Sequence, residues 1–540
     1  MPKDWCSVRI GVDVGGTNTD AVLMNGAEVV AWTKQPTTAD VGSGVAAAIR
    51  AVLADGRVAP EAVASVMIGT THFTNALVER NKLDRVGILR LASPAGEALP
   101  PMTGWPEALS AQIDAKTYLL PGGFEFDGRE IAPLDKSAVR NAARELRAMG
   151  IDSIAISSVF APVNPSMEER AAALVAEEHP EARVTVSHTL GRIGFVEREN
   201  AAILNAALGS LAAHVVASFE RALAEIGIDA PLYLSQNDGT LISASHAAAY
   251  PVLTIGSGPT NSMRGAAFLT GVRDAIVLDV GGTTTDLGVL ANGFPRESSV
   301  AVDIGGVRIN FRMPDILALG LGGGTRIHLD PARYGAEGID AEELRVGPDS
   351  VGFRITEQAR LFGGTTLTAS DVAVAAGRAR FGDPAKLPAL SEGMRDAVWA
   401  RMQAMLEEAV DRMKTSRGEV VLLAVGGGNF LVPDSLHGAT RVVRPPHAAV
   451  ANAVGAAIAQ VGAMVDQVVS FDREPREAAL ERLQTEARDQ AIAAGGIPET
   501  VEIVEMDEVY LSYLPGRAAQ VRVRAVADLA GTPALAAHAH

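Results

Sequence analysis

The stretch Ile10–Leu23, IGVDVGGTNTDAVL, recurs mid-chain as VLDVGGTTTDLGVL over Val277–Leu290. With Asp13 set against Asp279, the pairs Val14/Val280, Gly15/Gly281, Gly16/Gly282, Thr17/Thr283, Thr19/Thr285 and Asp20/Asp286 are identical, and Asn18 faces Thr284. Each copy is an apolar run ending in an acid, a Gly-Gly turn with hydroxyl side chains, and a second apolar run. That pattern predicts a β-hairpin whose turn suits an oxygen-rich ligand. One copy arises by chance often enough to mean little. Two near-identical copies point to two related half-molecules closing on one ligand.

The residue types narrow the ligand. Glycine lets backbone N–H groups approach a phosphate with no Cβ in the way. Thr17, Thr19, Thr283 and Thr285 add hydroxyl donors. A carboxylate cannot bind phosphate directly, but Asp13 and Asp279 can hold Mg²⁺ through water, since that ion prefers oxygen and keeps much of its hydration. A third glycine element, VVLLAVGGGNFLVPD over Val420–Asp434, delivers Gly426, Gly427 and Gly428 from an apolar strand into a turn that can lie against a base or ribose, with Asn429 adding an amide. The order hairpin, hairpin, glycine run matches the phosphate 1, phosphate 2 and adenosine elements of the actin, Hsp70 and sugar-kinase superfamily. The expected fold is therefore α/β, two ribonuclease H-like ATPase halves, with ATP and Mg²⁺ as ligands.

Composition agrees with a folded enzyme-sized chain. At 540 residues, two or three domains are expected. Apolar content of 48% against 21% charged excludes a disordered chain. A net charge of −17 argues against nucleic acid and anionic membranes as partners. The single cysteine, Cys6, allows no intrachain disulfide. The start, MPKDWCSVRIGVDVGG, enters the first strand without a signal-peptide pattern, so a cytoplasmic location is expected. The most membrane-like run, His447–Val465, contains His447, Asn452 and Gln460 and is rich in small residues, which suits close helix packing better than a span.

Alternating helical and β-rich runs place the first half at residues 1–196, the second at 197–465 and a small α/β appendage at 466–540. Arg198–Ile226 reads as one long helix crossing between halves. Val501–Tyr513 and Ala518–Ala525 read as a β pair turning at Pro515-Gly516, and the last dozen residues look frayed. Substrate candidates sit at a strand end in GTTHFTNALVER, namely Thr71, His72 and Asn75, where α/β proteins usually bind ligands. His72 is a candidate proton shuttle, set against the commoner structural role of a lone loop histidine. Glu197 and Arg198 are further candidates, set against an ordinary charged first turn of a helix. Gly322–Gly324 with Thr325 could form an anion nest or a plain loop.

In this order the segments GVDVGGTNTDAVL, GTTHFTNALVER, ERENAAILNA, SQNDGTLIS, GSGPTNSMRGA, VLDVGGTTTDLGVL, LGLGGGTRI and AVGGGNF resemble the hydantoinase A / 5-oxoprolinase family, from about Ile10 to Val461. The resemblance implies an ATP-dependent hydrolase subunit for a cyclic amide (a hydantoin, 5-oxoproline or a lactam), which phosphorylates the amide oxygen. It also implies a hydantoinase B-like partner subunit and an oligomer. Related members are ATP subunits of ketone carboxylases. A plain small-molecule kinase and a non-catalytic ATP switch of the reactivating-chaperone kind share the fold and remain alternatives. On physical grounds Asp13 and Asp279 are expected to be water-mediated Mg²⁺ ligands, with Asp279 also placed to orient or deprotonate a nucleophile. Thr17, Asn18, Thr283 and Thr284 would contact phosphates, and Asp20 and Asp286 would brace the hairpins. The chain departs from the family at Asn18, where an aromatic is usual, at Leu317, where a His is frequent, and in a shorter C-terminal part.

Overall fold

Val8–Val14 (β1) is buried along its whole length, both faces included, as expected of a strand covered by helices on either side, Val41–Gly56 (α1) among them. It runs antiparallel to Asn18–Asn25 (β2), which pairs with Glu28–Pro36 (β3). On its other edge β1 is parallel to Val63–Thr70 (β4), itself parallel to Leu232–Ser235 (β5). In this computed structural model, residues 8–38, 40–298, 302–310, 313–339, 342–511 and 516–529 are described. Cys6, Pro515 of the expected turn and the frayed end expected past Leu529 lie outside them.

The second sheet repeats the plan. Ala275–Val280 (β6) is antiparallel to Thr285–Ala291 (β7), and β7 to Ile316–Leu319 (β8). On the far side β6 is parallel to Val420–Val425 (β9), and β9 to Ala439–Val443 (β10). The orders β3-β2-β1-β4-β5 and β8-β7-β6-β9-β10 are the same, with the same directions. The duplication read in one short motif thus extends over five strands. Each hairpin turn follows the carboxyl end of its central strand, where the parallel neighbour also ends: Val14 lies opposite Thr70, and Asp279 opposite Val425.

Two helices join the sheets. Ala451–Ile458 (α3) packs Ala453, Val454 and Ala457 on Val22 and Met24 of the first sheet. Ser257–Thr270 (α2) packs Met263 and Ala266 on Val277, Leu290 and Leu423 of the second. The two helices touch backbone to backbone. A Cβ on Gly265 would lie 1.9 Å from the Ala451 carbonyl oxygen, and one on Gly455 would lie 1.8 Å from that of Asn261. No side chain fits either position, so glycine is required there for close approach.

Three features differ from the sequence expectation. The helix expected over Arg198–Ile226 is two, Phe195–Ala207 and Gly209–Ile226, meeting at 52°. Both pack into the first core and do not cross between sheets. A Cβ on Gly209 would lie 2.9 Å from Arg183 Nε, which marks a tight corner at the break. The C-terminal strands form no separate sheet: Val461–Ser470, Ala518–Ala527 and Glu502–Tyr510 continue the first one beyond Leu241–Ser243. The boundary expected at 465/466 falls inside a strand, and that at 196/197 inside a helix. Between β4 and the helix Phe195–Ala207, a separate parallel sheet of four strands is inserted, flanked by helices Lys136–Ala148 and Ser166–Glu178. Among the described residues no single helix is long and apolar enough to cross a membrane.

Candidate active site

Both hairpin turns close with the same bond, Gly15 N to Asn18 O at 2.9 Å and Gly281 N to Thr284 O at 2.8 Å. Their carbonyls are tied back from behind. Thr37 Oγ1 donates to Gly15 O (2.8 Å) and Thr37 N to Thr17 O (3.0 Å) in the first. In the second, Gly323 N donates to Gly281 O (3.0 Å) and Gly324 N to Gly282 O (2.7 Å). Fixing a peptide's carbonyl on one side aims amides of the same turn away from it, which is how a nest for anions is built. Gly322–Gly324 thus braces the second hairpin; it is not a nest of its own. The cradle is open: a Cβ on Gly282 would meet nothing within 4 Å, and Gly16 has only Asn75 Nδ2, at 3.8 Å.

The acids at the strand ends form one charge cluster. Asp13 stands opposite Asp20 across the first hairpin, and Asp279 opposite Asp286 across the second. Asp13 is 5% exposed, and its Oδ1 has no hydrogen-bond partner. Burial first, then the Asp20 charge, pushes its carboxyl up to about 7, against the bond from Asn452. Burial also raises Asp279, opposed by the bond from Ser262. Asp286 is pushed up to about 7 by burial and by Asp279. Acids held this way gain from an added cation, so the donor set fits Mg²⁺. Among the described residues no group of three or more His, Cys, Asp or Glu is spaced to cage a metal by itself. A cation here would take its other ligands from phosphate oxygens and water.

The glycine run meets the second hairpin directly. Gly426 has φ 84°, and a Cβ there would lie 2.3 Å from Asp279 Oδ1 and 2.4 Å from Val280 O. Gly428 N donates to Val280 O at 2.8 Å, while Gly427 is exposed. Asn429 turns its amide onto Gly426 O at 2.6 Å, so it braces this loop.

Three residues escaped sequence reasoning. Lys34 on β3 donates to Asp20 at 2.6 Å and to the Ala449 carbonyl at 3.3 Å, and its Cε lies 3.4 Å from the position of a Gly427 Cβ. Asn452 on α3 donates to Asp13 and Asp20, both at 2.9 Å. Ser262 on α2 donates to Asp279. These bonds link the first hairpin to α3 and the second to α2.

The substrate candidates divide. Thr71 donates its backbone N–H to Val14 O at 3.1 Å and Asn75 reaches toward Gly16, so both adjoin the first hairpin. His72 lies beside them with Nδ1 2.7 Å from Thr70 Oγ1; burial, then Lys82, lowers its pKa, so it is neutral at pH 7. Glu197 and Arg198 make no contact with either hairpin. Glu197 sits 3.5 Å from Arg308. Arg198 is fully buried and spends its donors on Ser187 Oγ and on the carbonyls of Ser158, Arg192 and Ile193, pinning the loop before its own helix. Replacing it, Arg198→Met, should cost roughly 3 kcal/mol through the stranded acceptors. The melting temperature should fall while Mg·ATP affinity stays within about twofold; a selective loss of substrate affinity with unchanged melting would contradict this role.

Caprolactamase subunit alpha of Pseudomonas jessenii is 30% identical over 392 residues, 68% of this chain and 54% of that one. Acetophenone carboxylase gamma subunit of Aromatoleum aromaticum is 27% identical over 401 residues, covering 68% and 53%. The chain spans about half the length of these relatives. The crystal structure of ATP-dependent caprolactamase from Pseudomonas jessenii superposes with a TM-score of 0.75 at 20% identity, over 96% of this chain and 87% of that one. Nucleotide-free acetone carboxylase gives 0.69 at 19%, over 96% and 88%. These likenesses show the fold, two related α/β halves over nearly the whole of this chain. Residues 9–179 match the model of the hydantoinase/oxoprolinase N-terminal region and 198–389 that of hydantoinase/oxoprolinase, and the chain belongs to this family.

Proposed function

We propose that the chain is the ATP-using subunit of an enzyme that activates a cyclic amide by phosphorylating its carbonyl oxygen, with a partner subunit completing ring opening. The observation that carries this reading is the pair of open glycine turns, each tied back by its carbonyls and each following a strand-end acid, Asp13 buried and Asp279 half-buried. Such a cleft suits a triphosphate gripped from two sides. The Gly16, Thr17, Gly282 and Thr283 amides would hold phosphate oxygens, and Asn18 and Thr284 would flank them. Gly427 would lie against the nucleoside. When bound, Mg²⁺ would neutralise charge on the transferring phosphate, held by Asp13 and Asp279 through water.

The chemistry gives the step a purpose. Amide resonance makes a lactam a poor electrophile. Moving the γ-phosphoryl group to the amide oxygen breaks the β,γ P–O bond, releases ADP and the amide proton, and leaves an O-phosphoryl imidate. Two waters then give the ring-opened amino acid and inorganic phosphate. Positioning and charge neutralisation, the two things this cleft is built for, supply most of the catalysis in such transfers. A ketone acceptor is the second reading, favoured by the likeness to a subunit named for acetophenone carboxylation.

The test is ATP hydrolysis with hydantoin, 5-oxoproline, ε-caprolactam and acetone, with and without co-purified protein. Stimulation by a cyclic amide is the expected result. Stimulation by none of the four, alongside stimulation by a protein client, would replace this reading with an ATP switch.

A further inference from the structure

Ser257, the first residue of α2, is 1% exposed and its hydroxyl has no hydrogen-bond partner. Leaving such a bond unmade costs about 1–3 kcal/mol, so the group calls for a ligand or an explanation. The helix start around it is bare. Gly256, at φ 85°, offers no side-chain cap, and Pro259 carries no N–H. The Ser257 and Gly258 amides donate to nothing among the described residues. In front of Gly258, a Cβ would meet Thr71 Cγ2 at 3.8 Å and Asp13 Oδ1 at 4.0 Å, and nothing closer. Asp13 Oδ1 is the buried carboxylate oxygen that also lacks a partner. The Gly258 Cβ position and Asp13 Oδ1 thus face one small space beside the first hairpin, next to this bare helix start.

That pairing has a chemical match. A cyclic amide is locked cis, so its C=O acceptor and N–H donor lie on the same edge. A ketone offers only the acceptor. We propose that the first turn of α2 is the seat of the acceptor substrate: Ser257 Oγ and the Ser257 and Gly258 amides hold the carbonyl oxygen, and Asp13 Oδ1 takes the N–H of a secondary lactam. The proposal rests on the cyclic-amide reading above and adds its subsite and its demand for a free N–H. The helix terminus favours the partial negative charge that amide resonance places on that oxygen. A site built to receive an N–H discriminates strongly against an analogue without one.

Wild type, Ser257→Ala and Gly258→Ala are assayed for ATP turnover with ε-caprolactam, 5-oxoproline, N-methyl-ε-caprolactam and acetone. Melting temperature and Mg·AMP-PNP affinity are measured in parallel. N-methylation should lower kcat/KM by at least about tenfold. Ser257→Ala should raise KM for the N–H lactam about tenfold with melting unchanged or higher, because the unmade bond is gone. Gly258→Ala fills the space at ordinary contact distance and should raise KM further, with nucleotide affinity within about twofold. An N–H lactam that keeps its kcat/KM in both variants overturns the site while leaving lactam activity standing. A wild type stimulated by acetone alone, or by none of the four, overturns the cyclic-amide reading and the site with it.

Discussion

Asp279→Asn is expected to lower substrate-stimulated ATP turnover by about 10²–10³-fold, the scale of losing one preorganised electrostatic element. Asp13→Asn should do the same. Both positions lie in the charge cluster between the hairpins, and burial raises both carboxyls. The Asp13 carboxyl is pushed up to about 7, mainly by burial, from an ordinary value of 3.8. Between those values the folded chain keeps a proton that the unfolded chain has released, so stability falls as pH rises through that window. In the limit this amounts to about 4 kcal/mol at pH 8 and vanishes below pH 4. Asp13→Asn escapes the loss. Without nucleotide it should melt at the wild-type temperature near pH 4 and about 2–5 °C higher at pH 8. A variant that melts lower at pH 8, or keeps full turnover, would show that the carboxylate is structural.

Gly455→Val should abolish soluble expression or destabilise the chain by more than about 4 kcal/mol. The added Cβ alone would sit 1.8 Å from the Asn261 carbonyl oxygen, and α3 cannot retreat because Gly11 of β1 presses on its other side, 2.1 Å from Cβ position to Ala453 O. Overpacking between backbones has no side chain to move aside. Gly335→Ala, where a Cβ meets nothing within 4 Å, is the control and should fold normally. Equal melting of the two variants would mean that α2 and α3 are not in this contact. Because the same helices carry Ser262 and Asn452 to Asp279 and Asp13, this contact also sets the spacing of the two hairpins.

The hairpins and the glycine run were legible because each is local: apolar strand, acid and glycine turn lie within a dozen residues. The five-strand repeat around them followed. Lys34, Asn452 and Ser262 were not legible, since each gains its role from a partner on an element remote in sequence or across a helix–sheet contact. Lys34 sits on a strand whose mixed exposure gives no sign that it reaches Asp20 and Ala449. Arg198 misled for the opposite reason. A charged residue opening a helix looks exposed, but four acceptors of the neighbouring loop and strand draw it inside. Gly322–Gly324 looked like a ligand loop because glycine signals close approach without saying to what; here it is the second hairpin. The C-terminal strands looked separate because sheet neighbours across the chain leave no local mark.

The central claim is that one Mg·nucleotide is held at once by both hairpins and the third glycine loop. Amide hydrogen exchange with and without Mg·AMP-PNP tests it most directly. The account predicts simultaneous protection of 15–18, 281–284 and 426–429, three segments far apart in sequence. Protection confined to one hairpin, or absent from all three while nucleotide is bound, would contradict it.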